Sequence, residues 1–480
     1  LATLFPSSMR NCLVLLLITL LLVPVHPVRA QDQSPDQPVY VVQSGDTLSS
    51  IAIRFGLSLD QLIQSNPSVD PNNLRIGENL VIPGLEGIRG TLQTEAVNFG
   101  DTLASLSRRF QISEDMLVRL NHLTSPAELY VGANFIIPQS EQVTANRKMT
   151  SLSPGQSLLE LAVLNGTDPW TLIGSNALSS SSEASPNEPF FVSSASGGEE
   201  LTSPIHPSIT RLDFLPLPLI QGKTEVLKIQ TREPLLFSGS LGDYELHFFS
   251  ETSGEYIALQ GIHALAEPGL VPFSLRGETA DGAAFEFTQM VPIELGGYIN
   301  DLPLTVPPET IDPEVTAPEN ELWSTVVEPA TPQKYWMGAF ELPSHLFTRE
   351  YCLDTAECWS SRFGSRRSYN GSAYSYFHSG LDIYGGTGIE IFAPAAGIVV
   401  FANTLTVRGG ATIIDHGWGV YSAYMHQSEI KVQVGDHVEP GQLIGLIGAT
   451  GRVQGPHLHW EVLVGGVQVD PLDWLSTSYP

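Results

Sequence analysis

A spacing of 55 residues, used three times in the N-terminal part of the chain, constrains the fold more than any other feature. Gly45, Gly100 and Gly155 line up, as do Thr47, Thr102 and Ser157, then Leu48, Leu103 and Leu158, then Asn66, Asn121 and Asn176. The register holds without a gap through Leu80-Val81-Ile82, Phe135-Ile136-Ile137 and Phe190-Phe191-Val192. Such a period marks one small supersecondary unit used in series. Its residues predict strand, helix, helix, strand. Tyr40 to Gln43 reads as a short strand, Gly45-Asp46 as its turn, and Thr47 as the cap of a helix with Leu48, Ile51, Ala52 and Phe55 on one face. Ser58 with Gln61 has the spacing of a capping box for a second helix carrying Leu59, Leu62 and Ile63. Asn66-Pro67 stops that helix, and Gly77 precedes a closing strand, Leu80 to Ile82.

With VVQSGDTLSSIAIRFG at 41–56 and GENLVIPG at 77–84, the unit resembles the LysM module, whose family binds N-acetylglucosamine-containing glycans. The resemblance implies three βααβ units, at 38–84, 93–139 and 148–193. It also implies a shallow sugar groove between the first strand-helix loop and the loop before the last strand. In the first copy that groove takes in Gly45, Asp46, Thr47 and Leu48, opposite residues around Asn66 and Leu74; in the second it takes in Gly100, Asp101, Thr102 and Leu103. Gly and Asp also simply make a turn, whatever they bind. The second copy keeps FGDTL at 99–103 and GANFIIP at 132–138, whereas the third has Gln156 for the Asp, Asn165 for the aromatic and Ser193 for the final Pro. The third copy is expected to keep the fold, and its sugar binding is left open.

The chain of 480 residues exceeds what one core supports, so several domains are expected. Only 15% of residues are charged and Gly and Pro are plentiful, which favours β-rich modules joined by linkers. A formal charge of −28 excludes a nucleic-acid partner, since no stretch is basic enough to neutralise phosphates, and suits solubility outside a cell. Met9 and Arg10 precede an apolar run, Cys12 to Val23, which ends through Val28-Arg29-Ala30 before Gln31. Residues 1–30 therefore read as a cleaved secretion signal, with 1–8 an over-long start. The run is short for a membrane span, so no stable span is expected after cleavage, and no Cys follows closely enough for a lipid anchor. Removing Arg10 and Arg29 leaves −30, from −28 minus 2.

After a Ser/Gly-rich bridge at 193–208, runs such as LKIQT, ELHFF and FEFTQMVPI, separated by Gly, Pro and Asp, predict a β-sandwich over 209–300. It carries no evident chemistry. His247 and His263 are expected to be packed or surface residues, and the domain to act as a spacer or a cap. Residues 301–333 are rich in proline and acid and read as a linker, extended or draped over a neighbour. Trp336 and Phe340 to Pro343 lead into the last domain, 334–480.

That domain brings in FHSGLD at 377–382, YSAYMH at 421–426 and GPHLHWE at 455–461. His378 and Asp382 are four apart, while His457 and His459 alternate with Leu458, Trp460 and Val462 as in a strand. Both imidazoles then share a face, and Glu461 follows them on it. Two His and one Asp form a ligand set that Zn²⁺ accepts with a fourth position left open for water, an arrangement suited to catalysis rather than to a structural clamp.

These motifs, with FGSRR at 363–367, APAAGIVV at 393–400, DHGWG at 415–419 and VGDHVEPGQLIGLIGATG at 434–451, resemble the lysostaphin-type (LytM-like) zinc endopeptidases of bacterial peptidoglycan. The resemblance implies zinc on His378, Asp382 and His459, with His426 and His457 as a catalytic pair that does not ligate. It implies an antiparallel β fold, with Glu461 and Asp415 as candidates to orient ligand imidazoles and Arg366 as a candidate to line the cleft. The 209–300 sandwich resembles the immunoglobulin-like domain that often precedes this core. His416 and His437 are expected to be ordinary core or surface residues. In an oxidising exterior Cys352 and Cys358 are expected to form a small disulfide loop; a second metal site with His345 does not fit a zinc spacing.

The chain is thus expected to be a mostly β, multidomain protein with small α+β modules, secreted to the wall or surface of a bacterium. Its expected partner is peptidoglycan, with stem or crosslink peptides as substrate and glycan as anchor. The alternative is a wall-binding regulator of another hydrolase, but degenerate relatives of that kind lack ligands that are all present here.

Overall fold

A computed structural model describes residues 37–138 except 86, 87 and 89, residues 147–193 except 153, 154, 186 and 187, and residues 205–480 except 281 and 283. The expected secretion signal and most of the Ser/Gly-rich bridge lie outside the described residues. The chain divides at Gln93/Thr94 into two units.

In the first unit the elements are β1 (Val39–Val41), α1 (Leu48–Arg54), α2 (Leu59–Ser65) and β2 (Asn79–Val81). Both helices start where the capping residues stand. Thr47 Oγ1 accepts from the Ser50 amide at 3.0 Å while Ser50 Oγ accepts from the Thr47 amide at 2.9 Å, and Ser58 with Gln61 repeats the exchange. Leu48, Ile51, Ala52, Leu62 and Leu80 fill the small core. β1 pairs antiparallel with β2, Tyr40 opposite Leu80, and parallel with Thr91–Leu92.

The repeated Asn proves to be a strut. Asn66 is buried; its Nδ2 donates to the Leu62 and Val81 carbonyls at 2.9 Å each, and its Oδ1 accepts from the Val81 amide at 2.7 Å. One side chain thus ties the C-terminal turn of α2 to the closing strand. Asn121 does the same between Leu117 and Ile136, and Asn176 between Leu172 and Phe191. Asn66 itself is thus spent on the fold of its unit. Because removing the side chain takes the partner from one backbone amide and two carbonyls, Asn66→Ala is expected to destabilise the first unit by about 2 kcal/mol. Faster hydrogen exchange at the Val81 amide would report it.

The same order of elements occurs twice more along the chain. The first set is β3 (Thr91–Ala96), α3 (Leu103–Phe110), α4 (Glu114–Leu120) and β4 (Asn134–Pro138); the second is β5 (Arg147–Ser151), α5 (Leu158–Leu164), α6 (Pro169–Ser175) and β6 (Pro189–Ser193). Two packed sheets follow, built from β7 (Ile209–Leu215), β8 (Leu219–Ile220), β9 (Thr224–Thr231), β10 (Leu235–Leu241), β11 (Tyr244–Leu246), β12 (Glu255–Gly261), β13 (Gly269–Thr279) and β14 (Ala284–Glu294). One sheet runs β11-β10-β13-β14-β8 and the other β12-β9-β7. Alternation along β9 sends Leu227 and Ile229 into the core between the sheets, and Val226 into the core of the last domain together with Ile257 and Leu259 of β12. Sharing a core in this way makes the sandwich a docked wall rather than a loose spacer.

The Pro- and acid-rich segment is only partly extended. Leu304 donates its amide to the Ser368 carbonyl and accepts from the Asn370 amide, both at 2.9 Å, so residues around 300–306 lie along the 366–370 loop. Residues Pro313–Val327 instead form a helix, α7. Asp312 caps it, Pro313 occupies its first position, and Trp323 and Val327, four apart, bury against Phe401, Tyr421 and Leu463. Composition hid those start and spacing signals.

The last domain contains α8 (Arg349–Thr355), β15 (Trp359–Ser361), β16 (Arg366–Arg367), β17 (Tyr376–Phe377), β18 (Leu381–Tyr384), β19 (Glu390–Phe392), β20 (Gly397–Leu405) and β21 (Gly409–Gly417). It continues through β22 (Val420–Ile430), β23 (His437–Val438), β24 (Leu443–Ile447), β25 (His457–Val464), β26 (Val467–Val469) and α9 (Pro471–Ser476). The main sheet runs β15-β18-β25-β22-β21-β20-β23. Cys352 and Cys358 are joined with an S–S distance of 2.12 Å, both buried between α8 and β15.

Candidate metal centre

Register puts the site on the central strands. β18 and β25 pair antiparallel with Asp382 opposite His459 and Tyr384 opposite His457; β22 flanks β25 with Met425 opposite His459. Simple alternation along β22 would turn His426 to the other face. An extra residue prevents this: Gly410 and Thr412 of β21 pair with Gln427 and Tyr424, so two steps on one strand match three on the other. His426 sits in this bulge with φ of 64°, a left-handed conformation rare for a residue with a side chain. The bulge swings its imidazole to a ring-centroid distance of 5.1 Å from His457 and 5.9 Å from His459.

His378 Nε2, Asp382 Oδ1 and His459 Nδ1 form a nearly equilateral triangle, with sides of 2.9, 3.0 and 2.8 Å. Hydrogen bonds behind the triangle decide what faces inward. A carbonyl oxygen can only accept, so His378 Nδ1, 2.9 Å from the Arg362 carbonyl, carries the hydrogen and leaves Nε2 with its lone pair. His459 Nε2 donates to Glu461 Oε1 at 3.2 Å, and that carboxylate is itself fixed by the Ser379 hydroxyl at 2.5 Å. Once His459 gives up its second proton, Nδ1 faces inward as a second lone pair, beside an anionic oxygen. Three buried electron-rich atoms converge on one point, which is stable only around positive charge. A tetrahedral zinc with bonds of about 2.0–2.1 Å spaces its ligand atoms by roughly 3.3 Å, so the triangle fits with small outward movement.

The field agrees. Burial works against charge on His459, but Asp382 and Glu461 outweigh it and push its pKa up to about 9. Burial alone would raise Asp382, yet His378, His457 and His459 hold its carboxyl well below the usual carboxylate range. Arg367 reinforces this from behind: it contacts Asp382 Oδ2 at 3.5 Å and Ser361 Oγ at 2.9 Å, leaving Oδ1 for the triangle. His426 is different, because burial first and then the neighbouring His459 and His457 lower its pKa to about 3, which keeps it neutral. Its Nδ1–H donates to the Thr450 carbonyl at 2.8 Å, and His457 Nδ1–H donates to the Gly455 carbonyl at 2.8 Å, so each presents Nε2 to the site.

Of the residues singled out from sequence, the structure brings together His378, Asp382, His426, His457, His459 and Glu461. It does not bring in Asp415, whose carboxylate takes the Thr331 hydroxyl and the Gly417 amide. Nor does it bring in Arg366, which donates to the Ala264 carbonyl of the sandwich at 3.1 Å. β16 is two residues long and its side chains alternate, so the neighbouring Arg367 reaches the site. His345 stacks on Phe392, and His416 is buried between the Ala396 carbonyl and the Ser422 hydroxyl. Gly380 is a further requirement: a Cβ there would lie 2.4 Å from the Trp460 carbonyl and 2.9 Å from His459 Nε2. Gly380→Ala is expected to disturb the His459–Glu461 contact and weaken metal binding about 10- to 100-fold, measured by competition with a chromogenic chelator.

The loops expected to hold glycan are mostly occupied by the protein. Asp46 accepts from the Gln43 amide at 2.8 Å and the Tyr40 hydroxyl at 2.7 Å and pairs with Arg54 at 3.1 Å; Leu48 belongs to the core and Thr47 caps α1. Around Gly45 the space is open. Asp101 likewise accepts from the Asn98 amide and pairs with Arg109, Thr102 caps α3, and Leu103 packs on the core of its unit. The Gly100 amide donates to Gln289 of β14 at 2.8 Å and Ile205 covers Gly100, so this second loop is closed against the sandwich. That corrects the expectation of an open groove there.

Residues 376–471 match Peptidase family M23, and residues 40–83 and 97–138 match the LysM domain. Among curated proteins the chain is 36% identical over 124 residues to the peptidoglycan DD-endopeptidase ShyA of Vibrio cholerae, covering 26% of this chain and 29% of that protein. It is 37% identical over 95 residues to the DD-carboxypeptidase/endopeptidase Mpg of Neisseria meningitidis, covering 20% of this chain and 22% of that one. The match therefore spans less than a third of either relative. Among solved structures, the antimicrobial peptidase lysostaphin of Staphylococcus simulans matches at 32% identity over 21% of this chain and 44% of its own, with a TM-score of 0.20. The chain thus carries LysM domains and a C-terminal M23 peptidase domain whose relatives are peptidoglycan DD-endopeptidases. Among the described residues no helix is long and apolar enough to cross a membrane.

Proposed function

We propose that the protein is a secreted zinc endopeptidase that hydrolyses peptide bonds of bacterial peptidoglycan and is held on wall glycan by LysM modules. The observation that carries this reading is the convergence of His378 Nε2, Asp382 Oδ1 and His459 Nδ1, with lone pairs turned inward by the Arg362 carbonyl and Glu461. These three residues would hold the metal. When bound, zinc supplies a Lewis acid for the scissile carbonyl and lowers the pKa of its water from ~15.7 to about 7.

The chain's own residues handle the protons. His426, deeper in the site, and His457, closer to the rim, are the two imidazoles outside the triangle whose Nε2 atoms face the reacting space, placed to exchange protons with the attacking water and the leaving amine. Arg367 and Glu461 keep the ligands oriented. Residues 148–193 act as a third LysM-like module, 209–300 as an immunoglobulin-like wall, and 334–480 as the catalytic domain. The open surroundings of Gly45 leave the turn of the first module, within 38–84, accessible to wall glycan. A tether of this kind raises the local concentration of substrate peptides without altering the site.

A proton on His459 must leave for a metal to bind. Since that pKa stands near 9, apparent zinc affinity is expected to rise about tenfold per pH unit between roughly pH 6 and 9 and to level off above it, as read by isothermal titration. The activity itself is tested on purified crosslinked muropeptides by mass spectrometry, with and without a chelator. Release of monomers that stops with chelator supports the reading; crosslinks left intact by the zinc-loaded protein contradict it.

A further inference from the structure

Two cavities of about 350 and 620 Å³ open on either side of the candidate centre, and they share Arg367, Tyr369, His426, Arg452 and His459 in their walls. Three guanidinium groups line them. Arg367 has the carboxylates of Asp382 and Asp301 at 3.5 Å each, and Arg408 has Glu319 at 3.5 Å with the Asn320 amide oxygen at 2.9 Å. Among the described residues Arg452 pairs with no carboxylate. One of its terminal nitrogens donates to the Thr310 carbonyl at 3.0 Å, and its plane lies 4.7 Å over the Tyr369 ring.

The position of Arg452 is fixed from both ends. Its backbone amide donates to the Val407 carbonyl at 2.8 Å, and the preceding Thr450 holds His426 through its carbonyl and β22 through its hydroxyl. The stacked guanidinium is therefore pre-organised, half-buried, and close enough to Arg408 for the two charges to repel. In a chain with 51 acidic and 23 basic residues, a fixed cation facing both sides of the groove without its own counter-ion selects for an anionic ligand. Its planar fork matches the two oxygens of a carboxylate.

We propose that Arg452 is a specificity-determining residue that receives a free carboxylate of the substrate peptide next to the amide being cut. The assignment rests on the peptidase reading of the centre and adds the substrate class: peptides that carry an unblocked acid beside the scissile bond. Peptides whose corresponding acid is amidated lack the partner and bind weakly.

The probe is a synthetic crosslinked stem-peptide dimer and its twin with the carboxylates converted to carboxamides. Binding is measured on the full, metal-depleted chain, where no turnover interferes, and hydrolysis on the zinc-loaded chain. The wild-type protein is expected to bind the acid form about ten- to a hundredfold more tightly than the amide. Arg452→Gln removes the difference by weakening only the acid form, Arg452→Lys keeps part of it, and unchanged binding of the amide twin shows that the variants are folded. Equal binding of the twins by the wild type, or a preference that survives Arg452→Gln, overturns the proposal. Hydrolysis of neither twin alongside an Arg452-dependent preference would instead remove the peptidase reading and leave the carboxylate site standing.

Discussion

Replacing His459 with alanine is expected to abolish metal binding and peptide hydrolysis together. His459 supplies one corner of the triangle, and its other nitrogen holds Glu461, so the substitution removes a donor and unties the support behind it. Disrupting a supporting contact alone costs about 10- to 100-fold in metal affinity. Loss of a ligand together with that contact must exceed this range. The same change leaves the buried carboxylates of Asp382 and Glu461 with less positive charge nearby, so the variant should also unfold at a lower temperature at neutral pH. Metal analysis of the dialysed protein, a muropeptide assay and a thermal melt check the three effects separately.

His426→Ala is expected to give the opposite pattern: zinc stays and turnover falls. His426 lies outside the triangle, its Nδ1 tied to Thr450 and its Nε2 directed at the space beside His457 and His459. Losing a positioned acid or base typically costs 10²–10⁴ in rate. The backbone supplies a second readout. At φ of 64° a side chain is strained, so His426→Gly should be more stable than His426→Ala by about 1 kcal/mol although both are nearly inactive. If the alanine variant lost its metal as well, the division between ligands and catalytic pair would be wrong.

Much of the centre could be read from the chain because its parts lie close in sequence or follow strand alternation. His457, His459 and Glu461 share a face of β25 by period alone, and Thr47, Ser58 and Thr102 announced their helices through capping chemistry. What escaped depends on events that one-letter patterns do not encode. The bulge that aims His426 arises from unequal strand lengths across β21 and β22. Arg367 rather than Arg366 faces the centre because a two-residue strand fixes which side chain points inward. The strut formed by Asn66, Asn121 and Asn176 was visible as a repeat, but a repeated residue fits a binding role and a structural one equally until its partners are known. Closure of the second LysM loop by Gln289 joins residues 189 apart in sequence, and nothing local foretells it.

The most direct test of the central claim is a zinc titration of the metal-depleted chain in which bound metal and cleaved crosslinks are followed together. One equivalent of zinc is predicted to restore hydrolysis in the wild type, to bind without restoring it in His426→Ala, and to do neither in His459→Ala. Crosslink cleavage by the depleted protein under chelator, or full zinc binding by His459→Ala, would contradict the account.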